Sequence, residues 1–288
     1  MTSSRDRAWN ALSARLRDTL ELSIADLFVG GTHTRRFEDN LLPGLTISQI
    51  RTIRSRLEQG DGRELEPTPT GKRRAHAPYS SAALAANAFG RWIGAEPALE
   101  IAQLRGFDPP LSLEHKLRIA HCGGEANLDC VLQGPGLMLG IESKLTETLT
   151  PHDPVEWRAP YHSPKMQHLL ADGWAAVFRD SRAGQWTPSH LGLEQLIKHA
   201  LALQTHARGR ETHLVYCYWE PRNADTIPEP RAHREEVAEL LARVAGARPQ
   251  FHALTYADLL NGWEAMSLRP PWVPEHLAQL RARYDVEI

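Results

Sequence analysis

The chain of 288 residues is 42% hydrophobic and 24% charged, which is typical of a globular protein with a substantial buried core. No apolar run approaches the roughly 20 residues that cross a bilayer, and the polar residues 1–10 do not open a signal peptide, so we expect a cytoplasmic protein without a membrane partner. Because the net charge is −2, attraction to nucleic acid would have to come from a local basic surface.

The first 75 residues are predicted to be mainly helical. Apolar residues recur every three or four positions from 5 to 29, which predicts a helix that ends at Gly30-Gly31. A second helix is predicted over 46–59, with Thr46 or Ser48 as its N-cap and Gly60 at its end. The region holds 13 Lys and Arg against 10 Asp and Glu. These charges form either a solvated surface or a clamp that positions a duplex through its phosphates.

The next stretch leads from a loop into the first strand. Prolines and charged residues predict a loop over 61–79, and small apolar residues predict a helix over 80–94. From Leu111 to Ile119 apolar and polar residues alternate, as in a strand with one buried face. Glu114 falls on the polar side of that alternation and is therefore expected at the surface.

A hairpin follows and carries the charged residues of most interest. Two apolar runs, 128–133 and 137–143, flank Gly134-Pro135-Gly136, a pattern that predicts two antiparallel strands. A turn centred on Pro135 sets Asp129 opposite Glu142. Since side chains alternate along a strand, Lys144 points the same way as Glu142. One Asp, one Glu and one Lys therefore converge in an otherwise apolar hairpin.

Charged groups in such a position have to be paired or bind a metal. In one interpretation, Lys144 neutralises Asp129 and Glu142 in a partly buried ion pair. In the other, the two carboxylates hold Mg²⁺, with Mn²⁺ as a substitute and the carbonyl of Ser143 as a third ligand. Lys144 would then orient or help deprotonate a water, or stabilise the charge that develops on a phosphate.

The second half of the chain alternates helices and strands. The proline-rich residues 148–164 predict either a loop that contacts substrate or a loop held to the domain by Trp157. On the predicted helix 191–206, Gln195 and Lys198 share a face. The remaining predicted helices cover 165–180, 231–244, 256–263 and 275–284, and the remaining predicted strands cover 213–219 and 250–255.

The motif of Asp129, twelve intervening residues and Glu142-Ser143-Lys144 resembles the PD-(D/E)xK nuclease superfamily, the restriction-endonuclease-like fold. Leu128-Asp129 stands where the superfamily name has Pro-Asp. Similarity to bacterial members of that superfamily extends over five segments: 60–65, 80–81 with 87–90, 127–129, 141–147 and 195–199.

The resemblance implies an α/β fold with an αβββαβ core, a mixed sheet between helices, an N-terminal helical extension and a C-terminal αβ extension. The corresponding divisions are 1–75 for the helical extension, 76–262 for the nuclease-like domain and 263–288 for a C-terminal helical tail. An additional acidic ligand is common in the resembled fold, and the sequence leaves Glu96, Glu100 and Glu114 as candidates.

The function implied by the resemblance is metal-dependent hydrolysis of DNA. Asp129 and Glu142 would hold Mg²⁺ together with Ser143, Lys144 would complete the catalytic set, and Gln195 and Lys198 would contact the substrate phosphate. Symmetric target sites favour a homodimer. Two alternatives stay open: a catalytically inactive nucleic-acid-binding or scaffold protein of the same fold, and a nuclease acting on RNA or branched DNA.

Overall fold

A mixed sheet forms the centre of the computed structural model, which describes residues 2–19, 28–29, 32–60 and 63–288. Strand β1 (Phe28–Val29) and strand β2 (His33–Thr34) form a separate antiparallel pair. The five strands of the central sheet are β3 (Asp108–Arg118), β4 (Glu125–Gly134), β5 (Leu137–Lys144), β6 (Glu211–Tyr218) and β7 (Gln250–Thr255). They lie side by side in chain order.

The first three strands of the sheet are antiparallel, and β6 and β7 run parallel to β5. Cys130 pairs with Ile141. This is the predicted register of the hairpin, and the pair lies one residue closer to the turn than Asp129 and Glu142. A parallel step from β5 to β6 requires a crossover connection, and three helices lie in it.

Nine helices are present in the part of the chain that the structure describes. They are α1 (Ser4–Thr19), α2 (Ile47–Gln59), α3 (Ser81–Phe89), α4 (Pro164–Gln167), α5 (Asp172–Arg182), α6 (Leu193–His206), α7 (Pro228–Arg243), α8 (Tyr256–Ala265) and α9 (Val273–Tyr284). Thr46 caps α2 by accepting a hydrogen bond from the Gln49 amide. Among the described residues, no helix is long and apolar enough to cross a membrane.

Helices cover both faces of the sheet. Leu139 and Ile141 of β5 pack into a cluster with α1, α2, α3, α8 and α9. On the other face, Leu214 and Tyr216 of β6 pack into a second cluster with α5, α6 and α7. The order α3, β3, β4, β5, α6, β6 confirms the αβββαβ core, and α7 with β7 confirms the αβ extension.

The ends of the chain pack against this core rather than standing apart from it. The guanidinium of Arg283 on α9 is fully buried. It donates to the backbone carbonyls of Leu12 on α1, at 2.8 Å, and of Pro78, at 2.7 Å. A buried cation with such partners joins α1, the loop before α3 and α9.

Three helix predictions need correction. The first helix ends at Thr19 in the described residues, and the prediction for 20–27 lies outside them. Phe28–Val29 form a strand, as suits an aromatic and a β-branched residue, so a helix through 29 was wrong. The helix predicted over 80–94 ends at Phe89, and a 3₁₀ turn follows.

The helix predicted over 165–180 is two helices, α4 and α5. Asp172 has a φ of 50°, and a Cβ added to Gly173 would lie 2.1 Å from the Arg243 carbonyl oxygen. The chain therefore turns where α5 meets the end of α7, which the apolar spacing alone does not reveal. Between β5 and α4, Trp157 packs on Phe178 and donates to the Ser181 hydroxyl at 3.0 Å. The connection is thus held to α5, as the second interpretation of residues 148–164 expected.

Candidate active site

The β4–β5 hairpin brings the predicted charged residues together. The ammonium of Lys144 lies 2.5 Å from Oε1 of Glu142. The backbone N–H of Ser143 donates to Oδ2 of Asp129 at 2.6 Å. On the opposite face of β5, the Ser143 hydroxyl lies 2.7 Å from the hydroxyl of Tyr256 on α8. The strand that carries Glu142 and Lys144 is therefore fixed from both sides.

Glu114 also belongs to this site, contrary to the prediction that it lies at the surface. It is buried, and its carboxylate accepts a hydrogen bond from the Asn127 side chain. The physical reason is its φ of 46°, because this left-handed residue interrupts the alternation of β3. Leu113 packs in the cluster under α3, whereas Leu117 packs in the cluster under α6. The exchange of faces occurs at Glu114.

The other two acidic candidates are engaged elsewhere. Glu96 is fully buried, and its two carboxylate oxygens accept from the backbone N–H groups of Gly94 and Leu111, both at 2.9 Å. Glu100 forms an ion pair with Arg105 at 2.7 Å. Of the three glutamates that the sequence left open, the structure places only Glu114 beside Asp129 and Glu142.

Helix α6 contributes two side chains to the site. Gln195 accepts a hydrogen bond from the Lys144 ammonium at 2.8 Å. His199 lies one turn further on, with Nε2 2.6 Å from Oε2 of Glu142, and both side chains are almost completely buried. Lys198 does not join them, because its ammonium lies 2.5 Å from Glu194 and 5.5 Å from the Tyr161 ring.

Sequence reasoning grouped Gln195 with Lys198 and assigned no role to His199. With 3.6 residues per turn, the residue four positions along lies closer to the direction of Gln195 than the residue three positions along. The available signal was the spacing of Gln195 and His199, because polar residues four positions apart lie on the same face of a helix. That spacing indicates a polar contact beneath the helix.

The electrostatics of the site are dominated by an excess of carboxylates. Burial, and then the neighbouring Glu142 and Glu114, raise the pKa of Asp129 well above its usual range. Burial would also raise the pKa of Glu142, but Lys144 and His199 outweigh it and the pKa is lowered. Burial acts to lower the pKa of Lys144, but Glu142, Glu147 and Asp129 raise it overall. The neighbouring carboxylates therefore favour the ammonium form of Lys144.

The donor set fits a hard divalent cation that keeps part of its water shell. Oε1 of Glu142 is buried, and among the described residues the structure gives it the Lys144 ammonium, 2.5 Å away, as its charged neighbour. Asp129 and Lys144 are partly exposed, so water reaches this edge of the site. Across the described ranges, no group of three or more His, Cys, Asp or Glu side chains forms a metal cage. Two carboxylates plus waters is the arrangement that Mg²⁺ commonly takes.

Comparison with known proteins gives one family match. The model of a family described as Restriction Endonuclease associating with ARP matches residues 26–285. No curated protein and no solved structure matches the chain significantly. The family match spans the hairpin, α6 and all of the central sheet.

Proposed function

We propose, from the premise that the chain belongs to the family of restriction endonucleases associating with ARP, that it is a Mg²⁺-dependent endonuclease acting on DNA. The family is one of restriction-endonuclease-like nucleases. The observation that carries the finer proposal is the meeting of Asp129, Glu142 and Lys144 on one hairpin, with more carboxylate charge than one lysine neutralises.

In this proposal Asp129 and Glu142 hold the cation, and the Ser143 carbonyl is the third protein ligand. When bound, a divalent cation supplies charge that stabilises the phosphate during an in-line displacement. The other roles in the proposal belong to backbone and side-chain groups of the protein. The Ser143 N–H orients Asp129, and His199 orients Glu142. Gln195 holds the Lys144 ammonium, which stabilises negative charge on the phosphate.

A second candidate function is a non-catalytic nucleic-acid-binding or scaffold protein of the same fold. The observation in its favour is that Glu142 already contacts two basic side chains, Lys144 at 2.5 Å and His199 at 2.6 Å. In that case the cluster is a structural ion network, and a metal is not needed to satisfy it.

Cleavage of supercoiled plasmid separates the two candidates. We expect nicking or linearisation by the wild type with Mg²⁺ or Mn²⁺ and none in excess EDTA. Asp129→Ala and Lys144→Ala are expected to abolish cleavage while the circular dichroism spectrum is retained. Asp225→Ala, at an exposed aspartate outside the site, is the matched control and should cleave normally. A wild type that leaves plasmid intact with either metal would support the scaffold function instead.

The same assay extends to the remaining alternatives. RNA and branched DNA, offered separately, show which polymer the site accepts. We also propose a homodimer, because two copies would present one site to each strand of a symmetric target. Sedimentation of the chain with and without duplex DNA measures its assembly state.

A further inference from the structure

A basic cavity of about 490 Å³ lies between α2 and the loops on either side of it. Three separate parts of the chain supply five arginines to its wall. We call this surface the arginine cleft, and the five are Arg35, Arg36, Arg54, Arg63 and Arg73. Two glutamates, Glu58 and Glu66, also line it. Since the whole chain has a net charge of −2, this surface is a local concentration of positive charge.

Three arginines of the cleft contact carboxylates, and Arg73 donates to the backbone carbonyl of Leu65. Arg54 donates to Glu38 at 2.9 Å. Arg36 lies 3.7 Å from Glu38, and Arg63 lies 3.7 Å from Glu66. The pairs of Arg36 and Arg63 involve well-exposed guanidiniums, and such pairs contribute at most about 1 kcal/mol, whereas Arg54 also donates to Glu38 through Nη2. A guanidinium matches phosphate oxygens as well as it matches a carboxylate, so a phosphate can take over these contacts.

Two of these arginines face solvent directly. The side chain of Arg36 is 70% exposed and that of Arg63 is 78% exposed. They lie at the open side of the cleft, whereas Phe37 and Leu57 form part of its wall. A phosphate backbone can therefore reach the guanidinium groups without any change of fold.

The arginine cleft lies close to the carboxylate site. A Cβ added to Gly60 would lie 2.9 Å from Oε2 of Glu114, so the end of α2 touches the site. Burial, and then Glu114, raise the pKa of Glu64 to about 7, which places Glu64 near the same carboxylate. Its chain neighbours Arg63 and Leu65 line the cleft. The end of α2 at Gly60 thus contacts Glu114, and the same helix carries Arg54 and Leu57 of the cleft wall.

We propose that the arginine cleft binds the phosphate backbone of the DNA duplex whose scissile phosphate lies at Asp129, Glu142 and Lys144. The nature of the polymer rests on the proposed function. The arginine contacts position the duplex and add affinity for any sequence, because phosphates carry no base information. Each phosphate contact also releases condensed counterions, so binding through the cleft weakens steeply as salt rises.

The test is binding of a fluorescent 30-base-pair duplex in EDTA over a series of salt concentrations. The double variant Arg36→Ala/Arg63→Ala removes two well-exposed guanidiniums of the cleft. Each lost phosphate contact makes the negative slope of log affinity against log salt less steep by about 0.9. We therefore expect the slope of the double variant to be less steep by about 2, and its affinity near 0.1 M salt to be at least tenfold lower. Arg36→Lys/Arg63→Lys keeps both charges and should retain most of the slope.

The matched control is Arg105→Ala/Arg179→Ala, which removes two arginines that are 71% and 67% exposed and lie outside the cleft. It should bind with the slope of the wild type. A double variant of Arg36 and Arg63 that binds like the wild type would overturn the proposal, as would a wild type that does not bind the duplex. Thermal unfolding of every variant verifies that the fold is intact.

The outcome is separable from that of the proposed function. If the duplex binds through Arg36 and Arg63 but is not cleaved in Mg²⁺ or Mn²⁺, the result supports DNA binding by the arginine cleft and contradicts the nuclease function. If cleavage depends on Asp129 but the Arg36 and Arg63 variant binds DNA like the wild type, the result supports the nuclease function and contradicts DNA binding by the cleft.

Discussion

Asp129→Asn should stabilise the protein in the absence of divalent cations, although it removes a residue of the proposed active site. The substitution keeps the shape of the side chain and removes its charge. Asp129 faces two carboxylates, Glu142 and Glu114, and one ammonium, Lys144, so one repulsion remains uncompensated. Two like charges about 6 Å apart repel by roughly 3 kcal/mol at an effective dielectric constant of about 20.

Two effects reduce that gain. The new amide accepts a weaker hydrogen bond from the Ser143 N–H than the carboxylate does, which costs about 1 kcal/mol. Partial exposure of Asp129 also screens the repulsion. We therefore expect the free energy of unfolding to rise by about 1 to 2 kcal/mol. Because the pKa of Asp129 is raised in the fold, the native state takes up its proton first as pH falls, so the advantage of the variant decreases at low pH.

Urea denaturation at pH 8, in EDTA and in Mg²⁺, measures both sides of this balance. At a concentration of Mg²⁺ a hundred times its dissociation constant, the wild type should gain about 2.7 kcal/mol, and Asp129→Asn should gain almost nothing. Asp225→Asn serves as the control at an exposed position. A variant Asp129→Asn that is less stable than the wild type in EDTA would show that charge repulsion at this position does not destabilise the fold, and equal stabilisation of both proteins by Mg²⁺ would show that Asp129 is not a ligand.

Three further predictions concern the partners of the site and the histidines of the core. Lys144→Met leaves the buried Glu142 with a single basic neighbour, so the free energy of unfolding measured by urea denaturation should fall by roughly 3 kcal/mol. A loss below about 1 kcal/mol would show that the ion pair is not needed for folding. His199→Ala leaves Oε2 of Glu142 unpaired, so it should lower the free energy of unfolding by about 1 to 3 kcal/mol and reduce Mg²⁺-dependent cleavage. His199→Gln should recover part of the stability and part of the cleavage, and equal losses in the two variants would contradict a hydrogen-bonding role. Burial lowers the pKa of His276 to about 4 and that of His233 to about 3. Since the unfolded chain takes up these protons near pH 6.5, stability falls as pH drops below that value, by up to about 1.4 kcal/mol per pH unit for each histidine. Between about pH 6 and 4.5, His276→Gln should reduce the dependence of the free energy of unfolding on pH by up to about 1.4 kcal/mol per pH unit. An unchanged dependence would show that His276 does not contribute.

Local patterns were enough to predict the sheet and its hairpin. The strands β4 and β5 were predicted from two apolar runs and the turn residues between them, because a tight turn fixes which residues pair. The observed partner of Cys130 is Ile141, as a turn centred on Pro135 requires. The meeting of Asp129, Glu142 and Lys144 follows from the hairpin alone, since all three lie within sixteen residues.

The parts that sequence reasoning missed depend on single dihedral angles and on contacts between distant residues. Glu114 enters the site because of one left-handed residue in β3, and nothing in the alternation of its neighbours signals that angle. His199 meets Glu142 across 57 positions of the chain. The break between α4 and α5 depends on the approach of Gly173 to the end of α7. Such features are set by tertiary packing, which local propensity does not describe.

Anomalous diffraction from crystals grown with Mn²⁺ would locate a cation held between Asp129 and Glu142. We expect a single strong peak about 2.1 Å from carboxylate oxygens of both Asp129 and Glu142 in the wild type, and no peak there in Asp129→Asn. Wild-type crystals that show no peak between these two side chains, at a Mn²⁺ concentration that supports cleavage, would contradict a metal site at these carboxylates.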